Sequence, residues 1–456
     1  MTKVQDAPDG GSIGYVYLLA SVAALGGLLF GYDTAVISGA IGYLAERFSL
    51  NEHWTGWAAA SALVGCIIGA AFAGVLSDRI GRKRVLLISA VLFTVSAIGT
   101  AVPRNLTEFA VARMLGGFGV GAASMLSPLY IAEVAPARIR GRLVSLNQLA
   151  IVFGMLAVYF VNAWIASLGD SSWNVAYGWR WMFGSETLPA VVFFVLLFGV
   201  PESPRWLTKQ GRPAEAEAIL SRVSGPRGAE IQMDEIRAAI AEESGSLAQL
   251  FQPGIRIALL IAVVLAILQQ VTGINVVLYY APEIFKSTGL AANQAINDTV
   301  IVGLVNMAFT LVAIWIVDRL GRKPLLLIAS AGMGASLAAL GGAFYLGSFQ
   351  GPWVLLFTLA YVASFAVAMG PVVWVVLSEI FPTQIRGRAM SIATVSLWIA
   401  CFLVSQTFPW MLKTLQGAKT FWIYAATCAV AFLFVLLFVP ETKGKTLEEI
   451  ERSWTR

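Results

Sequence analysis

Two ionisable residues of opposite charge stand inside long apolar stretches of this sequence, Asp33 and Arg113. A charge in such a stretch costs several kcal/mol in a bilayer and usually marks an ion or proton pathway. At about 1.5 Å per helical residue, both lie roughly 12–14 Å below the same face, so they can pair. Pairing would make either charge tolerable. We predict a pair in which a proton can replace the arginine; the alternative is a fixed pair that only orders the helices.

Glu186 is a second candidate acid, a few residues into a later apolar stretch. Its position leaves two interpretations open. It is either a further protonation site or a helix-end carboxylate that faces water.

Uncharged amides and aromatic rings form a second group of candidates. Amides donate and accept hydrogen bonds, and rings stack on apolar faces, which suits a ligand with many hydroxyls and one apolar ring face. The candidate amides are Gln148, Gln269, Gln270, Asn275 and Asn306, and the candidate platforms are Phe30, Trp374 and Trp398. A lone amide in a span can also simply join two helices, and a tryptophan there can serve packing alone.

An ideal helix places Gln269 and Asn275 about 240° apart, so both reach one ligand only if the helix breaks between them. Gly273 permits that break, and Gly370-Pro371 is predicted to break a later helix beside Trp374. Tyr279 and Tyr280 then lie outward of the ligand as a lid.

The composition requires a membrane. Of 456 residues, 58% are hydrophobic and 12% are charged, whereas soluble domains carry about 25% charged residues. The apolar runs are long and continuous, which favours helices over a barrel. We predict twelve spans near 14–42, 54–77, 84–103, 106–131, 143–168, 179–200, 255–285, 294–317, 324–346, 352–379, 388–412 and 420–439.

Basic residues are divided unequally between the loops. Most belong to loops on one side, such as 79–84, 138–142, 319–323 and 386–388, whereas the other side keeps Arg47, Arg104, Arg180, Lys286, Lys413 and Lys419. The positive-inside rule then places both termini in the cytoplasm, with the first span retained. The excess of basic residues thus reflects the orientation of the chain in the membrane, and no nucleic-acid partner is expected. Cysteine spacing suggests no metal, and we expect no cofactor.

The chain repeats a set of motifs. DRIGRK at 78–83 recurs as DRLGRK at 318–323, and EVAPARIRGR at 133–142 recurs as EIFPTQIRGR at 379–388. We predict an all-α membrane protein of two six-helix halves, 1–203 and 251–439, joined by a cytoplasmic helical linker, 204–250, and followed by a tail, 440–456. Parallel repeats around a central cavity are one transporter architecture. Charges in the repeated motifs are predicted to form an inner gate: Asp78, Arg79, Glu133, Arg142, Asp318, Arg319, Glu379 and Arg388.

These motifs resemble the sugar porters of the major facilitator superfamily. PESPRWL at 201–207, QQVTGIN at 269–275 and PETKG at 440–444 are its most specific signatures here. The chain is most similar to the bacterial proton–xylose symporters, through GLLFGYDT at 27–34 and the segments around 178–180 and 374–382. Met155 and Leu397 stand where those symporters carry glutamines, so we expect somewhat relaxed selectivity between glucose-type and xylose-type sugars.

The resemblance implies a major facilitator fold and places the candidate amides and rings in a sugar pocket. It also implies proton-coupled symport of a D-xylose- or D-glucose-type monosaccharide across the inner membrane. We further expect the carrier to work as a monomer in the bilayer. A facilitative uniporter is the near alternative, and a sugar-sensing receptor is the alternative of another class. No enzymatic motif is present, so we expect no enzyme.

Overall fold

The computed structural model describes residues 11–136, 138–241, 250–252, 255–347, 352–381 and 383–443. Among these, twelve helices are long and apolar enough to cross a membrane. In chain order, spans one to twelve are Ile13–Arg47, Glu52–Ile80, Arg82–Ala101, Leu106–Val134, Arg140–Ser167, Ser171–Phe198, Ile255–Lys286, Ala292–Val317, Arg322–Tyr345, Trp353–Glu379, Ile385–Thr414 and Gln416–Phe438. The predicted number and order are confirmed. Span one extends further than predicted, to Arg47, because its polar last turn remains helical beyond the apolar run.

Spans one and seven are each divided into two helices. Span one is divided at Val36, between helices Ile13–Ala35 and Ile37–Arg47, although Val36 keeps α-helical dihedral angles of φ −56° and ψ −33°. Span seven consists of Ile255–Val271 and Ile274–Lys286, separated at Gly273 with φ 94° and ψ 16°. Glycine adopts this left-handed conformation without steric cost, so the predicted break at Gly273 is confirmed.

Spans six and ten contain π-helical turns, at Asn174–Gly178 and Phe365–Met369. Span ten continues directly into helix Gly370–Glu379. The predicted break at Gly370-Pro371 is therefore wrong. Pro371 lies in the first turn of the following helix, where its missing N–H is tolerated, and the π turn accommodates the irregularity.

Spans one to six and spans seven to twelve form the two halves. The halves pack against each other mainly through span two on span eleven and span five on span eight. Small residues permit the close approach: Gly56 lies against the carbonyl of Gln406, and Gly303 lies against the ring of Tyr159. This use of glycine is typical of helix interfaces in membranes.

The linker between the halves contains helices Pro204–Lys209 and Pro213–Ala241, and the second is kinked at Gly225, with φ 76°. Its own small core comprises Trp206, Leu207, Ala216, Leu220, Ala229 and Met233. Trp206 Nε1 donates to the Asp78 carbonyl at 3.0 Å, and the Arg222 guanidinium lies 4.3 Å from the ring centre of Tyr15. The linker thus packs on the first half. We call this end of the bundle the linker face and the other end the opposite face.

Candidate functional site

Asp33 and Arg113 form a buried ion pair in the first half. Arg113 Nη1 lies 2.8 Å from Asp33 Oδ1, and the two residues are 1% and 0% exposed. Gly116, one turn beyond Arg113, leaves room for the carboxylate, because a Cβ there would lie 3.2 Å from Asp33 Oδ1. The predicted pairing is confirmed. Among the described residues, Asp33 Oδ2 and Arg113 Nε have no hydrogen-bond partner.

Glu186 lies beside this pair. It occupies the turn between helices Trp179–Gly184 and Thr187–Phe198 and is 1% exposed. The water-facing interpretation is therefore wrong, since the turn lies within span six and is covered by its neighbours. Glu186 interacts electrostatically with both Asp33 and Arg113. Its Oε1, like Asp33 Oδ2, finds no donor within the described part of the chain.

These three groups are two acids and one base. A cluster of two carboxylates and one guanidinium carries a net negative charge in a site removed from water. One proton on either acid makes the cluster neutral and supplies a donor to an unpartnered oxygen, and both changes lower its cost in an apolar setting. The geometry is therefore suited to binding and releasing a single proton.

A chain of amides spans the break in span seven. Asn275 Nδ2 donates to Gln270 Oε1 at 2.6 Å, and Gln270 Nε2 donates to Gln269 Oε1 at 3.2 Å. Gln269 Nε2 in turn donates to the carbonyls of Met369 and Gly370 in span ten, at 2.8 and 3.1 Å. The break thus brings together three amides that a continuous helix would point in different directions, as the sequence predicts.

Hydroxyl groups from neighbouring helices stabilise this break. Thr427 Oγ1 donates to the Val271 carbonyl and Tyr361 Oη donates to the Thr272 carbonyl, each at 2.9 Å. Backbone carbonyls at membrane depth need such partners once the helix ends. A Cβ on Gly273 would lie 3.0 Å from the Tyr424 ring, so the site also has no space for a larger residue.

Aromatic side chains from the two halves meet across the interface between them. The rings of Phe30 in span one and Trp398 in span eleven lie 5.6 Å apart at 57°. Trp398 is 4% exposed, and its Nε1 has no acceptor in the described structure. Trp374 lies partly exposed in helix Gly370–Glu379, and Gln148 lies partly exposed on span five. The unpartnered indole N–H is available to a polar ligand.

The predicted lid residues lie on the second helix of span seven, Ile274–Lys286. Tyr279 and Tyr280 are 3% and 2% exposed. Tyr280 Oη donates to the Ser405 carbonyl at 3.0 Å, and its ring is tilted by 42° against Phe408 with ring centres 5.1 Å apart. Both tyrosines are thus buried in this conformation, between the amide chain and the opposite face.

Asn306 faces a thioether rather than a stronger hydrogen-bond acceptor. Its Nδ2 lies 3.9 Å from Sδ of Met155, across the interface between the halves. Leu397 is 3% exposed on span eleven, next to Trp398. A thioether accepts hydrogen bonds weakly and leucine does not accept them. These two positions therefore offer a ligand less polar contact than glutamines would.

On the linker face of the first half, Glu133 organises a charge network. Arg82 Nε and Nη2 donate to its two carboxylate oxygens at 3.1 and 3.2 Å, and Arg82 Nη1 reaches Asp78 at 2.9 Å. Ser203 Oγ donates to Glu133 as well. Glu202 accepts from the backbone N–H groups of Arg82 and Lys83, and so caps the start of span three.

The second half repeats this network with Glu379. Arg322 Nε and Nη2 donate to its carboxylate at 3.1 and 2.8 Å, and Thr442 Oγ1 donates at 2.6 Å. Glu441 accepts from the N–H groups of Arg322 and Lys323 at 3.0 and 3.1 Å. Burial opposes ionisation of Glu441, but the backbone N–H groups around it outweigh burial, so its pKa is lowered from the ordinary value.

In the described part of the chain, Glu133 and Glu379 thus pair within their own halves with Arg82 and Arg322, two arginines that the predicted set did not include. Arg79, Arg142 and Arg388 are exposed, and the Arg319 guanidinium stacks on Trp315 at 4.0 Å. The side chain of Asp318 lies outside the described residues. The missing members are Arg82 and Arg322, which occupy equivalent positions in the repeated DRIGRK and DRLGRK motifs. Their equivalent positions in the two repeats are the sequence signal that could have identified them.

Comparison with known proteins adds to this geometry. The family model described as sugar (and other) transporter matches residues 19–454. A D-xylose-proton symporter of Escherichia coli (strain K12) is 47% identical over 476 residues, covering 96% of this chain and 96% of that protein. This chain is a member of the sugar transporter family.

Further similar proteins are also sugar transporters. An arabinose-proton symporter of Bacillus subtilis (strain 168) is 44% identical over 446 residues, covering 98% of this chain and 96% of that protein. A solved structure of the xylose transporter XylE from E. coli, in a partially occluded inward open conformation, matches with a TM-score of 0.87 and 46% identity, covering 95% of this chain and 100% of that chain. The chain is thus a multi-pass membrane transporter, and its family is one of transporters rather than enzymes.

In this sugar transporter the halves are held together at the opposite face. Lys413 forms an ion pair with Glu52. Gln406 Nε2 donates to the His53 carbonyl at 2.9 Å. Trp57 packs edge-on against Phe402, with ring centres 6.3 Å apart. Each contact joins span two to span eleven or its end, so the opposite face is closed in this conformation.

Proposed function

We propose that this sugar transporter is a proton-coupled monosaccharide symporter of the D-xylose or D-glucose type that works by alternating access. The observation that carries the proposal is the buried cluster of Asp33, Arg113 and Glu186, two acids with one base. A carrier that moved sugar alone has no need of a buried group that changes its protonation state. The names of the relatives, which include a D-xylose-proton symporter and an arabinose-proton symporter, support the same assignment.

Coupling follows from the cost of buried charge. When the pocket opens to the side with more protons, water and a proton reach Asp33, and its contact with Arg113 weakens. The protonated cluster is neutral and can be occluded together with a bound sugar. Opening to the other side releases the proton, and the ion pair forms again. One charge crossing 100 mV is worth about 2.3 kcal/mol, which corresponds to roughly fifty-fold accumulation of sugar.

The sugar is held by the amides and rings of both halves. The amides Gln269, Gln270 and Asn275 exchange their mutual hydrogen bonds for sugar hydroxyls, and the apolar face of the sugar packs on aromatic rings. Gln148, Asn306, Phe30, Trp374 and Trp398 complete the pocket. Tyr279 and Tyr280 close it toward the opposite face.

The linker face is the cytoplasmic face, with both termini on that side of the inner membrane. The distribution of basic residues between the loops supports this orientation. The chain divides into the halves 1–203 and 251–439, the linker 204–250 and the tail 440–456, and it functions as a monomer. The Glu133 and Glu379 networks make the cytoplasmic end of each half rigid, so that each half moves as one body.

The test is sugar-driven proton uptake into proteoliposomes. Wild-type protein should acidify the lumen when sugar is added outside, and Asp33→Asn should lose accumulation while it retains sugar exchange. Asp170→Asn is the matched control, because Asp170 caps an exposed turn by accepting from the Trp173 N–H, which asparagine also does. Exchange without proton movement in wild-type protein would establish a uniporter, and absence of any flux would favour a receptor.

A further inference from the structure

A proline leaves one carbonyl in the second helix of span seven without its helical donor. In an α-helix the carbonyl of residue i accepts from the N–H of residue i+4. Pro282 lies inside helix Ile274–Lys286 and has no N–H, so the carbonyl of Leu278 lacks this partner. Leu278 is 3% exposed, and a buried carbonyl without a donor is costly.

The donor comes from the other half of the protein. Tyr159 Oη, on span five, donates to the Leu278 carbonyl at 2.8 Å. Tyr159 is 1% exposed, and its ring lies against Gly303 of span eight, where a Cβ would come within 2.7 Å of the ring. This hydrogen bond thus crosses the interface between the halves within a closely packed region.

The same device is also found within the second half. Pro409 lies inside span eleven and frees the carbonyl of Ser405, which accepts from Tyr280 Oη at 3.0 Å. Tyr280 belongs to the second helix of span seven. This helix is therefore hydrogen-bonded to its own half through the Ser405 carbonyl and to the first half through its Leu278 carbonyl.

We infer that the Tyr159 hydroxyl is a latch between the halves, which positions the second helix of span seven when the opposite face is closed. The freed Leu278 carbonyl has a donor in two situations: Tyr159 when that face is closed, and water when it is open. In a partly opened interface, Tyr159 has moved away but water has not yet entered, so neither donor reaches the carbonyl. The latch therefore stabilises the closed state and makes its opening cooperative.

This inference rests on the alternating-access function proposed above, but its test does not require transport. Hydrogen–deuterium exchange of the full chain reports opening of each face directly. Segments 49–57 and 406–414 report the opposite face, and segments 140–150 and 385–393 report the linker face. A carrier that proved uncoupled from protons would still show the latch.

Tyr159→Phe should shift the equilibrium about tenfold toward opening of the opposite face, because the buried Leu278 carbonyl then has no donor in the closed state. Exchange should rise at 49–57 and 406–414 and fall at 140–150 and 385–393. Tyr130→Phe is the matched control, because Tyr130 Oη donates to the Pro201 carbonyl at 2.9 Å within the first half. It should leave this reciprocal pattern unchanged.

Pro282→Ala supplies the decisive second variant. It restores an N–H at position 282, so the Leu278 carbonyl has a helical donor in every state. In that background Tyr159→Phe should shift the equilibrium by less than about twofold. Equal shifts in both backgrounds, or faster exchange confined to 274–286 without the reciprocal change, would overturn the inference. If Tyr159→Phe does not fold, Pro282→Ala alone decides: because the Leu278 carbonyl then has a donor in the partly opened state as well, opening of the opposite face should become faster and less cooperative, and an unchanged exchange pattern contradicts the latch.

Discussion

Arg113 contacts Asp33 through one guanidinium nitrogen that makes two hydrogen bonds. Nη1 lies 2.8 Å from Oδ1 of the carboxylate and 3.0 Å from the main-chain carbonyl of the same residue. The second bond does not depend on the charge of the carboxyl group. When Asp33 takes up a proton, Arg113 therefore keeps an anchor on span one, and Glu186 remains near as the second acid.

The first prediction concerns the charge balance of this cluster. Asp33→Asn should cost little stability, since Glu186 remains as a counter-ion for Arg113. The double variant Asp33→Asn with Glu186→Gln leaves a buried guanidinium without any acid, which should cost about 3–5 kcal/mol. Thermal unfolding in detergent measures both variants.

Glu186→Gln alone is the control, because Asp33 still balances Arg113. The expected loss is thus much larger for the double variant than for the sum of the single ones. Strict additivity of the two single effects would show that Glu186 does not share the charge of Arg113.

The second prediction concerns the break in span seven. Gly273→Ala places a Cβ in the left-handed conformation, at a cost of about 1–3 kcal/mol, and against the ring of Tyr424. It should also misplace Asn275 relative to Gln270, and so weaken sugar binding. Calorimetry with xylose and glucose, together with thermal unfolding, measures the two effects.

Gly141→Ala is the matched control for this substitution. A Cβ at Gly141 meets nothing within 4 Å, and the residue lies in helix Arg140–Ser167. It should stabilise slightly, by about 0.5–1 kcal/mol. Unchanged sugar affinity in Gly273→Ala would mean that the amide chain does not form the binding site.

The third prediction concerns selectivity between sugars. Because Met155 and Leu397 supply little hydrogen bonding, binding titrations with xylose, glucose and galactose should show relaxed selectivity. Met155→Gln places an amide beside Asn306 and should strengthen binding of a sugar with a hydroxyl at that end by up to about tenfold.

Leu397→Met is the control, because it conserves volume and adds no strong hydrogen-bonding group. Its effect on the ratio of affinities should be small. Tight selection of one sugar by the wild-type protein would contradict this account of the two positions.

The fourth prediction concerns the charged cap on span nine. The pKa of Glu441 is lowered, since three backbone N–H groups, those of Arg322, Lys323 and Lys443, bind its ionised form. Its contribution to stability is thus fully present above the ordinary glutamate pKa of about 4.3 and is lost as pH falls through the lowered value. Glu441→Gln should be less stable by about 1 kcal/mol at pH 7, and this difference should shrink below pH of about 4.

Thermal unfolding between neutral and acidic pH tests this dependence. Glu46→Gln, at an exposed position near the opposite face, is the control. A difference between wild type and Glu441→Gln that stays constant across the whole pH range would exclude a role for the carboxylate charge.

Much of the architecture follows from the order of residues alone. The length and hydropathy of a run are local properties, so twelve spans and their order could be read without coordinates. The repeated DRIGRK and DRLGRK motifs revealed the two halves. The break at Gly273 was also predictable, because helical geometry cannot bring Gln269 and Asn275 to one ligand otherwise.

Contacts between helices depended on the tertiary structure, because spacing along one helix does not set its rotation and tilt against another. The burial of Glu186 beside Asp33 and the ion pair between Arg82 and Glu133 result from such packing. The π turn at Phe365–Met369, found in place of the predicted break at Gly370-Pro371, was also decided by the tertiary structure. The bond from Tyr159 to the carbonyl freed by Pro282 joins residues of different halves, so no local pattern could reveal it.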